Sequence, residues 1–198
     1  MPARDAETSC HGLEPTNAWC FERSRYRFYC IITLGSHGGC NAVTPMSIQL
    51  LSIPGADNEL LNKLADFFNS LRQEGDEVFF HPHPLTHDQV MKLVHYAGDD
   101  EYYALVDERR VLAYGMLRGW DEGFEIPSLG VAVAPSERGC GIAPLMMQFL
   151  QLVAKRRNAD SVRLTVHPEN TRAIRLFRRS GYEFQQSPDG RIVGYLKL

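Results

Sequence analysis

Apolar and polar positions predict strands and helices from residue 46 onward. Apolar residues recur at helical spacing in residues 60–71 and 142–156, which predicts two amphipathic helices. Shorter helices are predicted over 87–96, where Thr86 opens a capping box, and over 171–179, between the cap Asn170 and Gly181. Runs rich in β-branched and aromatic residues predict strands over 47–53, 101–106, 111–117, 124–133, 161–166, 182–184 and 192–198.

The order of these elements predicts one α/β domain, a mixed sheet with helices on both faces, over residues 46–198. Pro127 falls inside the predicted strand 124–133 and requires a bulge or a missing ladder bond. Residues 1–45 show no sustained period, and only residues 27–34 have strand character, so we predict a poorly structured leader. A second hypothesis is that translation begins at Met46 and the leader is not part of the natural protein.

Composition excludes several classes of protein. The 198 residues are 44% hydrophobic and 23% charged, and no apolar run approaches the ~20 residues of a membrane span. Residues 1–27 are too polar for a signal peptide, so we expect a cytoplasmic protein without a membrane partner. The five cysteines form no C-x-x-C pair, and His81 and His83 have no third ligand at a recognisable spacing, so we expect no metal site.

Charge is divided unevenly along the chain. Residues 46–134 carry 6 basic and 15 acidic residues, whereas residues 135–198 carry 11 and 5. This asymmetry predicts an anionic ligand beside the carboxyl-terminal segment and acidic walls, suited to a cation, in the preceding one. Nucleic acid is not expected as a partner, because the arginines of 171–179 lack a base-stacking aromatic array and the total charge is −3.

Residues 129–143 read as a strand, a glycine-bearing turn and the start of a helix. Backbone amides that converge at a helix amino terminus bind anions, and a Cβ at Gly139 or Gly141 would hold a phosphate away from them. The P-loop motif is excluded because no Lys and Ser or Thr follow Gly141. The dinucleotide motif G-x-G-x-x-G is excluded because Pro144 stands at its last glycine.

The motif Arg138-x-x-Gly141-x-Ala143 matches the [RQ]-x-x-G-x-[GA] signature of the GNAT N-acetyltransferase superfamily. Residues 170–182 resemble its second motif, N-x-x-A-x-x-L-Y-x-x-x-G-F, so the resemblance covers about residues 46–198. It implies a GNAT-like, mostly antiparallel sheet of about six or seven strands, and acetyl-CoA as the acyl donor.

The resemblance also implies the residues that bind acetyl-CoA. The backbone of Val131 and Val133 would pair with the pantetheine arm, Arg138 would add positive charge, and Asn170 would contact the cofactor. The pyrophosphate would be held by the amides of Gly139, Cys140, Gly141, Ile142 and Ala143.

The transfer requires a base, because an alkylamine with a pKa near ~10 must lose a proton before it attacks the thioester. Glu125 is the expected base, since two residues before Pro127 it would share a strand face with residues near the thioester. Glu122 and a water chain ending at His167 are the alternatives.

The general acid is the point where the resemblance breaks, because Phe177 stands where the family has its tyrosine. Three interpretations stay open: Tyr182 protonates the thiolate, CoA leaves as thiolate, or the chain binds acyl-CoA without turnover. The sequence therefore predicts an N-acetyltransferase for the primary amine of a small molecule. The alternative is a catalytically silent acyl-CoA-binding or regulatory module, and a homodimer is left open.

Overall fold

One mixed sheet carries helices on both of its faces. The computed structural model describes residues 20–21, 28–30, 47–80, 82–188 and 190–198. The strands are β1 (Cys20–Phe21), β2 (Phe28–Cys30), β3 (Ile48–Ser52), β4 (Glu101–Val106), β5 (Val111–Arg118), β6 (Ser128–Val133), β7 (Ser161–Val166), β8 (Glu183–Gln186) and β9 (Ile192–Lys197). The helices are α1 (Asn58–Gln73), α2 (His87–Val94), α3 (Ile142–Arg156) and α4 (Thr171–Arg179).

Helix starts follow the caps that the sequence contains. The Asp57 side chain accepts a hydrogen bond from the Leu60 amide at 2.9 Å at the start of α1, and the Thr86 hydroxyl caps α2 in the same way. Asn170 caps α4 by accepting from the Ala173 amide at 3.1 Å. The predicted boundaries of α3, α4, β4 and β7 are confirmed to the residue.

The strand order is β1-β2-β3-β4-β5-β6-β7-β9-β8, and every neighbouring pair is antiparallel except β6 and β7. One apolar cluster joins α1 and α2 to one face of the sheet, and a second joins α3 and α4 to the other. The predicted mixed, mostly antiparallel sheet is confirmed, with seven strands from Ile48 onward.

Residues 1–45 contribute two short strands to the described chain. β2 pairs with β3, with Phe28 opposite Leu50, and β1 pairs with β2. The remaining residues of the predicted leader, and Met46 with them, lie outside the described residues.

The predicted strand 124–133 is wrong at its start. β6 begins at Ser128, directly after Pro127, and its pairing with β5 from Ser128 to Val133 runs without a register shift. Proline has no amide to donate to a ladder, so the strand begins beyond it and needs no bulge. Glu125 therefore lies in a bend before the strand.

Candidate active site

A gap opens between β6 and β7 just beyond their first paired residues. Ser128 pairs with Arg163 in parallel register, and the Arg163 amide donates to the Pro127 carbonyl at 3.0 Å. Within the described chain no further pair joins these strands, although β6 runs on to Val133. The sheet splits here and leaves two facing backbone edges without a neighbour.

The peptide groups of Val131 and Val133 face this gap. The Ala134 amide donates to the Leu112 carbonyl on β5 at 2.9 Å, and the pairing of β6 with β5 keeps the same phase along the strand. Even-numbered residues of β6 therefore bond to β5, and odd-numbered residues point their peptide groups the other way. An extended chain with its own amides, such as pantetheine, can add to this edge like a strand.

The turn that links β6 to α3 presents backbone amides to open space. Gly139 and Gly141 have φ angles of 90° and 83°, and a Cβ built on either one meets no atom within 4 Å. No side chain caps α3 at Gly141. Among the described residues, no acceptor is found for the amides of Gly139, Gly141, Ile142 and Ala143. Such a cluster of free donors at a helix amino terminus fits a diphosphate.

Two further residues of the predicted loop have their own partners. The Cys140 amide donates to the Glu137 carbonyl at 3.4 Å, and its thiol is free and exposed. Arg138 donates from Nε to the Val133 carbonyl at 3.3 Å and forms an ion pair with Asp76. The guanidinium is thus held at the end of β6, and its role beside a pyrophosphate stays a prediction.

Asn170 borders the gap from the far side. Its Oδ1 is used as the cap of α4, so its Nδ2 group is the part left to donate to a ligand. Its predicted contact with the cofactor stays a prediction.

The gap opens into a cleft of about 370 Å³. This volume lies within the range of small-molecule sites, roughly 300–1,000 Å³. One side of the cleft is formed by Phe79, Phe80 and Pro82, on the segment between α1 and α2, and by Glu122 and Phe124 before β6. The other lining residues are 128–131 of β6, residues 163–167, the cap Asn170, and Ala173 and Phe177 of α4.

The charge of the cleft differs from the expected acidic wall. Arg118, Arg163 and Arg191 line it, and Glu122 is the only carboxylate among its described lining residues. Several other acidic residues of the segment 46–134 have partners outside the cleft. Asp100, for example, accepts from the Gly119 amide at 2.8 Å, and burial raises the pKa of this carboxyl.

Glu125, the expected base, does not border the cleft. Its side chain is exposed in the bend that precedes Pro127, whereas Glu122 three residues earlier borders the cleft, as does His167. Since the strand argument for Glu125 depended on a β6 that began earlier, its role stays a prediction without that support.

Tyr182, the expected acid, lies behind Phe177 as seen from the cleft. Phe177 lines the cleft, and the two ring centroids are 5.8 Å apart. Tyr182 is only 4% exposed, and burial raises its pKa to about 12. Its hydroxyl is 3.5 Å from the Gln151 amide nitrogen and does not border the cleft, so the acid role stays an untested prediction that its position disfavours.

The sequence reasoning missed Arg163 as a cleft residue. The signal was present in the alternation of β7, where buried Val162 and Leu164 flank a charged position. It also missed the contact of His83 with Tyr114: the His83 Nε2 lies 2.8 Å from the hydroxyl of this fully buried tyrosine. Burial lowers the pKa of His83, and the Arg118 charge acts in the same direction.

Two further properties concern the described part of the chain only. No helix there combines the length and the apolar character needed to cross a membrane. No group of three His, Cys, Asp or Glu side chains comes together there as a metal site would require.

Comparison with protein families gives a match over most of the domain. The model of the acetyltransferase (GNAT) family matches residues 62–182, which include β4 to β7, α3 and α4. A comparison with the curated proteins found no match.

Solved structures share the fold at low sequence identity. The GNAT domain of S. lividans PAT is 20% identical, with 77% of this chain and 91% of that chain covered and a TM-score of 0.65. The PaiA N-acetyltransferase of Thermoplasma acidophilum, solved with coenzyme A, is 11% identical, with coverages of 77% and 100% and a TM-score of 0.61. The ribosomal-protein-S18-alanine N-acetyltransferase of Escherichia coli is 15% identical, with coverages of 76% and 93% and a TM-score of 0.55.

Proposed function

Because the chain belongs to the GNAT family of acetyltransferases, which use acetyl-CoA as the acyl donor, we propose that it acetylates the primary amine of a small molecule. The observation that carries the proposal is the succession of three features: the free amides of Gly139, Gly141, Ile142 and Ala143, the unpaired edge at Val131, and the cleft beyond it. The first fits a diphosphate, the second an amide-bearing arm, and the third an acceptor.

In this proposal the reacting thioester of acetyl-CoA lies near Leu129 and Val131, where the edge of β6 meets the cleft. The Val133 carbonyl is already bonded to Arg138, whereas Leu129 and Val131 both line the cleft and have odd-numbered, gap-facing peptide groups. A backbone amide at this edge can donate to the thioester oxygen as negative charge develops there.

The transfer exchanges the C–S bond of the thioester for a C–N bond and moves one proton from nitrogen to a base. The neutral amine attacks the acetyl carbon, the C–N bond forms, the C–S bond breaks, and the electron pair leaves on sulfur. A base takes the amine proton. CoA can leave as thiolate, since a thiol pKa near ~8.5 makes that anion a tolerable leaving group, and the buried position of Tyr182 favours this route.

Of the two glutamates in the loop before β6, Glu122 is the better-placed candidate base, because it borders the cleft and Glu125 does not. We expect Glu122→Gln to lower kcat/KM at neutral pH by about 10²-fold, the lower end of the usual range for a general base. Glu125→Gln is the matched control, because it makes the same change three residues along the same loop. The reverse result, with loss only in Glu125→Gln, would restore the original prediction.

The acceptor is proposed to be a small molecule because aromatic and proline side chains enclose the cleft. Phe79, Phe80 and Pro82 form one wall, and Phe124 lies on the loop opposite. The E. coli relative named above is an N-acetyltransferase of a ribosomal protein's alanine, so a peptide amino terminus is the competing acceptor. Parallel assays with small amines and with amino-terminal peptides distinguish them, and turnover of the peptides alone would reject the proposal.

A silent acyl-CoA-binding module is favoured by one observation, the phenyl ring of Phe177 on the cleft wall. The direct test is release of free thiol from acetyl-CoA over a broad amine panel, with acetyl-CoA binding measured alongside by calorimetry. Phe177→Tyr adds the missing hydroxyl at this wall. Tight binding without thiol release, together with thiol release by Phe177→Tyr, would establish the silent module.

A further inference from the structure

Two arginines flank Ser128 across three neighbouring strands. Ser128 lies opposite Arg118 on β5 and opposite Arg163 on β7, so the three residues form one row across the sheet. Cross-strand partners project from the same face, and neighbouring strands lie about 4.8 Å apart. All three residues line the cleft. We call this arrangement the Arg118–Ser128–Arg163 row.

Arg163 carries a charge that no described carboxylate balances. No ion pair of this residue is found among the described residues, and its Nε is buried without a hydrogen-bond partner. Within the described residues, its guanidinium has one aromatic partner, the Phe124 ring, at 5.3 Å from the centroid. A buried, unsatisfied donor on a charged group is costly, which is why native proteins rarely keep one without a ligand or a water.

Arg118 also has donor capacity left. One terminal nitrogen donates to the Pro82 carbonyl at 2.7 Å, while its Nε is 3.7 Å from Asp100 and, like that of Arg163, is buried without a hydrogen bond. Asp100 is in turn occupied by the amides of Gly119 and Trp120. The two arginines of the row therefore carry more positive charge than the nearby described carboxylate, Asp100, neutralises.

We propose that the acceptor amine also carries an anionic group, a carboxylate or a phosphate, which binds at the Arg118–Ser128–Arg163 row. This inference rests on the proposed acetyl transfer, since it names the acceptor of that same site. Planar guanidinium groups bind such oxyanions with paired, charge-assisted hydrogen bonds, and the Ser128 hydroxyl supplies one more donor.

The position of the row limits the size of the acceptor. Ser128 is one residue from Leu129 and three from Val131, which is about 3 to 10 Å along a strand at ~3.3 Å per residue. An anion at the row thus lies only a few bonds from an amine placed at the thioester. The acceptor has the size of an amino acid or a short aminoalkyl phosphate.

The test compares matched acceptors by kcat/KM. Amino acids of increasing chain length are each paired with their primary amide, and aminoalkyl phosphonates of matching length distinguish phosphate from carboxylate. We expect the charged member of the best pair to exceed its amide by about tenfold or more, as one charge-assisted hydrogen bond allows. Replacing a carboxylate by an amide also changes the pKa of the nearby amine. The decisive quantity is therefore the ratio of kcat/KM for the charged acceptor to kcat/KM for its amide, compared between the wild type and an Arg163 variant.

Arg163→Gln should bring the ratio of charged acceptor to amide close to one, and Arg163→Lys should retain part of the preference. Arg156→Gln is the control, since Arg156 is an exposed arginine at the opposite end of α3 from residues 139–143, which we call the amide loop. Thermal unfolding of each variant shows that it is folded.

The outcomes separate this inference from the transferase proposal. Equal kcat/KM for acid and amide in the wild type, or a preference that survives in Arg163→Gln, overturns the anion site and leaves the transferase proposal standing. Failure of every amine to release thiol, despite binding of acetyl-CoA, overturns both.

Discussion

The substitution Gly141→Ala tests whether the amide loop binds the pyrophosphate, because it adds a single methyl group there. It is the amino-terminal cap of α3, with φ of 83°, and an added Cβ meets no atom of the protein within 4 Å. Gly141→Ala therefore introduces no clash, and its cost to folding is the strain of an L-residue in the left-handed region, about 1–2 kcal/mol. For a chain of this size that cost lowers Tm by roughly 2–8 °C.

The effect on ligand binding is expected to be larger than the effect on folding. The new methyl group projects into the open space where the free amides face, so a diphosphate would be held away from them. Loss of one charge-assisted hydrogen bond, about 1.5–3 kcal/mol, weakens CoA binding by about 10- to 150-fold.

Gly55→Ala is the matched control for this experiment. Gly55 has φ of 75°, an added Cβ there also meets no atom within 4 Å, and its amide donates to the Val94 carbonyl at the end of α2. Both variants should lose similar Tm, while only Gly141→Ala should lose CoA affinity by calorimetry and the CoA-induced rise in Tm. Equal CoA affinity in the two variants would refute the assignment of the pyrophosphate to this loop.

Two further predictions concern Asn170 and His83. Asn170→Ala should cost about 0.5–2 kcal/mol of stability by removing the cap of α4, whereas Asn170→Ser should keep the cap. Both should raise KM for acetyl-CoA, and a Ser variant with wild-type KM would restrict Asn170 to capping. Burial lowers the pKa of His83 from 6.5. At a pH just below this value the unfolded chain therefore binds a proton on His83 that the folded chain does not bind. The contribution of neutral His83 to the free energy of unfolding should therefore be fully present above about pH 6.5 and be lost as the pH falls below it. Unfolding midpoints measured across this range should depend less on pH in His83→Phe than in the wild type. An unfolding midpoint that depends on pH equally in His83→Phe and the wild type would contradict His83 as the source of this pH dependence.

Local signals predicted most of the elements. α3, α4, β4 and β7 match their predicted bounds, because caps, glycine stops and apolar periodicity act within a few residues of the boundary. The start of β6 was predicted wrongly, since whether Pro127 stays in a ladder depends on neighbouring strands. In the structure, the Pro127 carbonyl accepts a hydrogen bond from the Arg163 amide of β7 just before β6 begins.

The conformation of the glycine turn before α3 was also predictable from the sequence, but the partners of its side chains were not. Gly139 and Gly141 mark a turn with positive φ before a helix, and this pattern is local. The ion pair between Arg138 and Asp76 joins residues 62 positions apart. No spacing rule could have indicated that partner.

The acceptor side depended on the tertiary structure. Counting charge predicted acidic walls, because residues 46–134 carry 15 acidic residues. A count over a segment averages the faces of its strands and helices, and the fold directs several of these carboxylates to caps, turns and ion pairs outside the cleft. The sequence by itself determined the order of elements and the amide loop. Only the pairing of β5, β6 and β7 brought Arg118 and Arg163 to either side of Ser128, because strand register, not sequence distance, selects which side chains share a face.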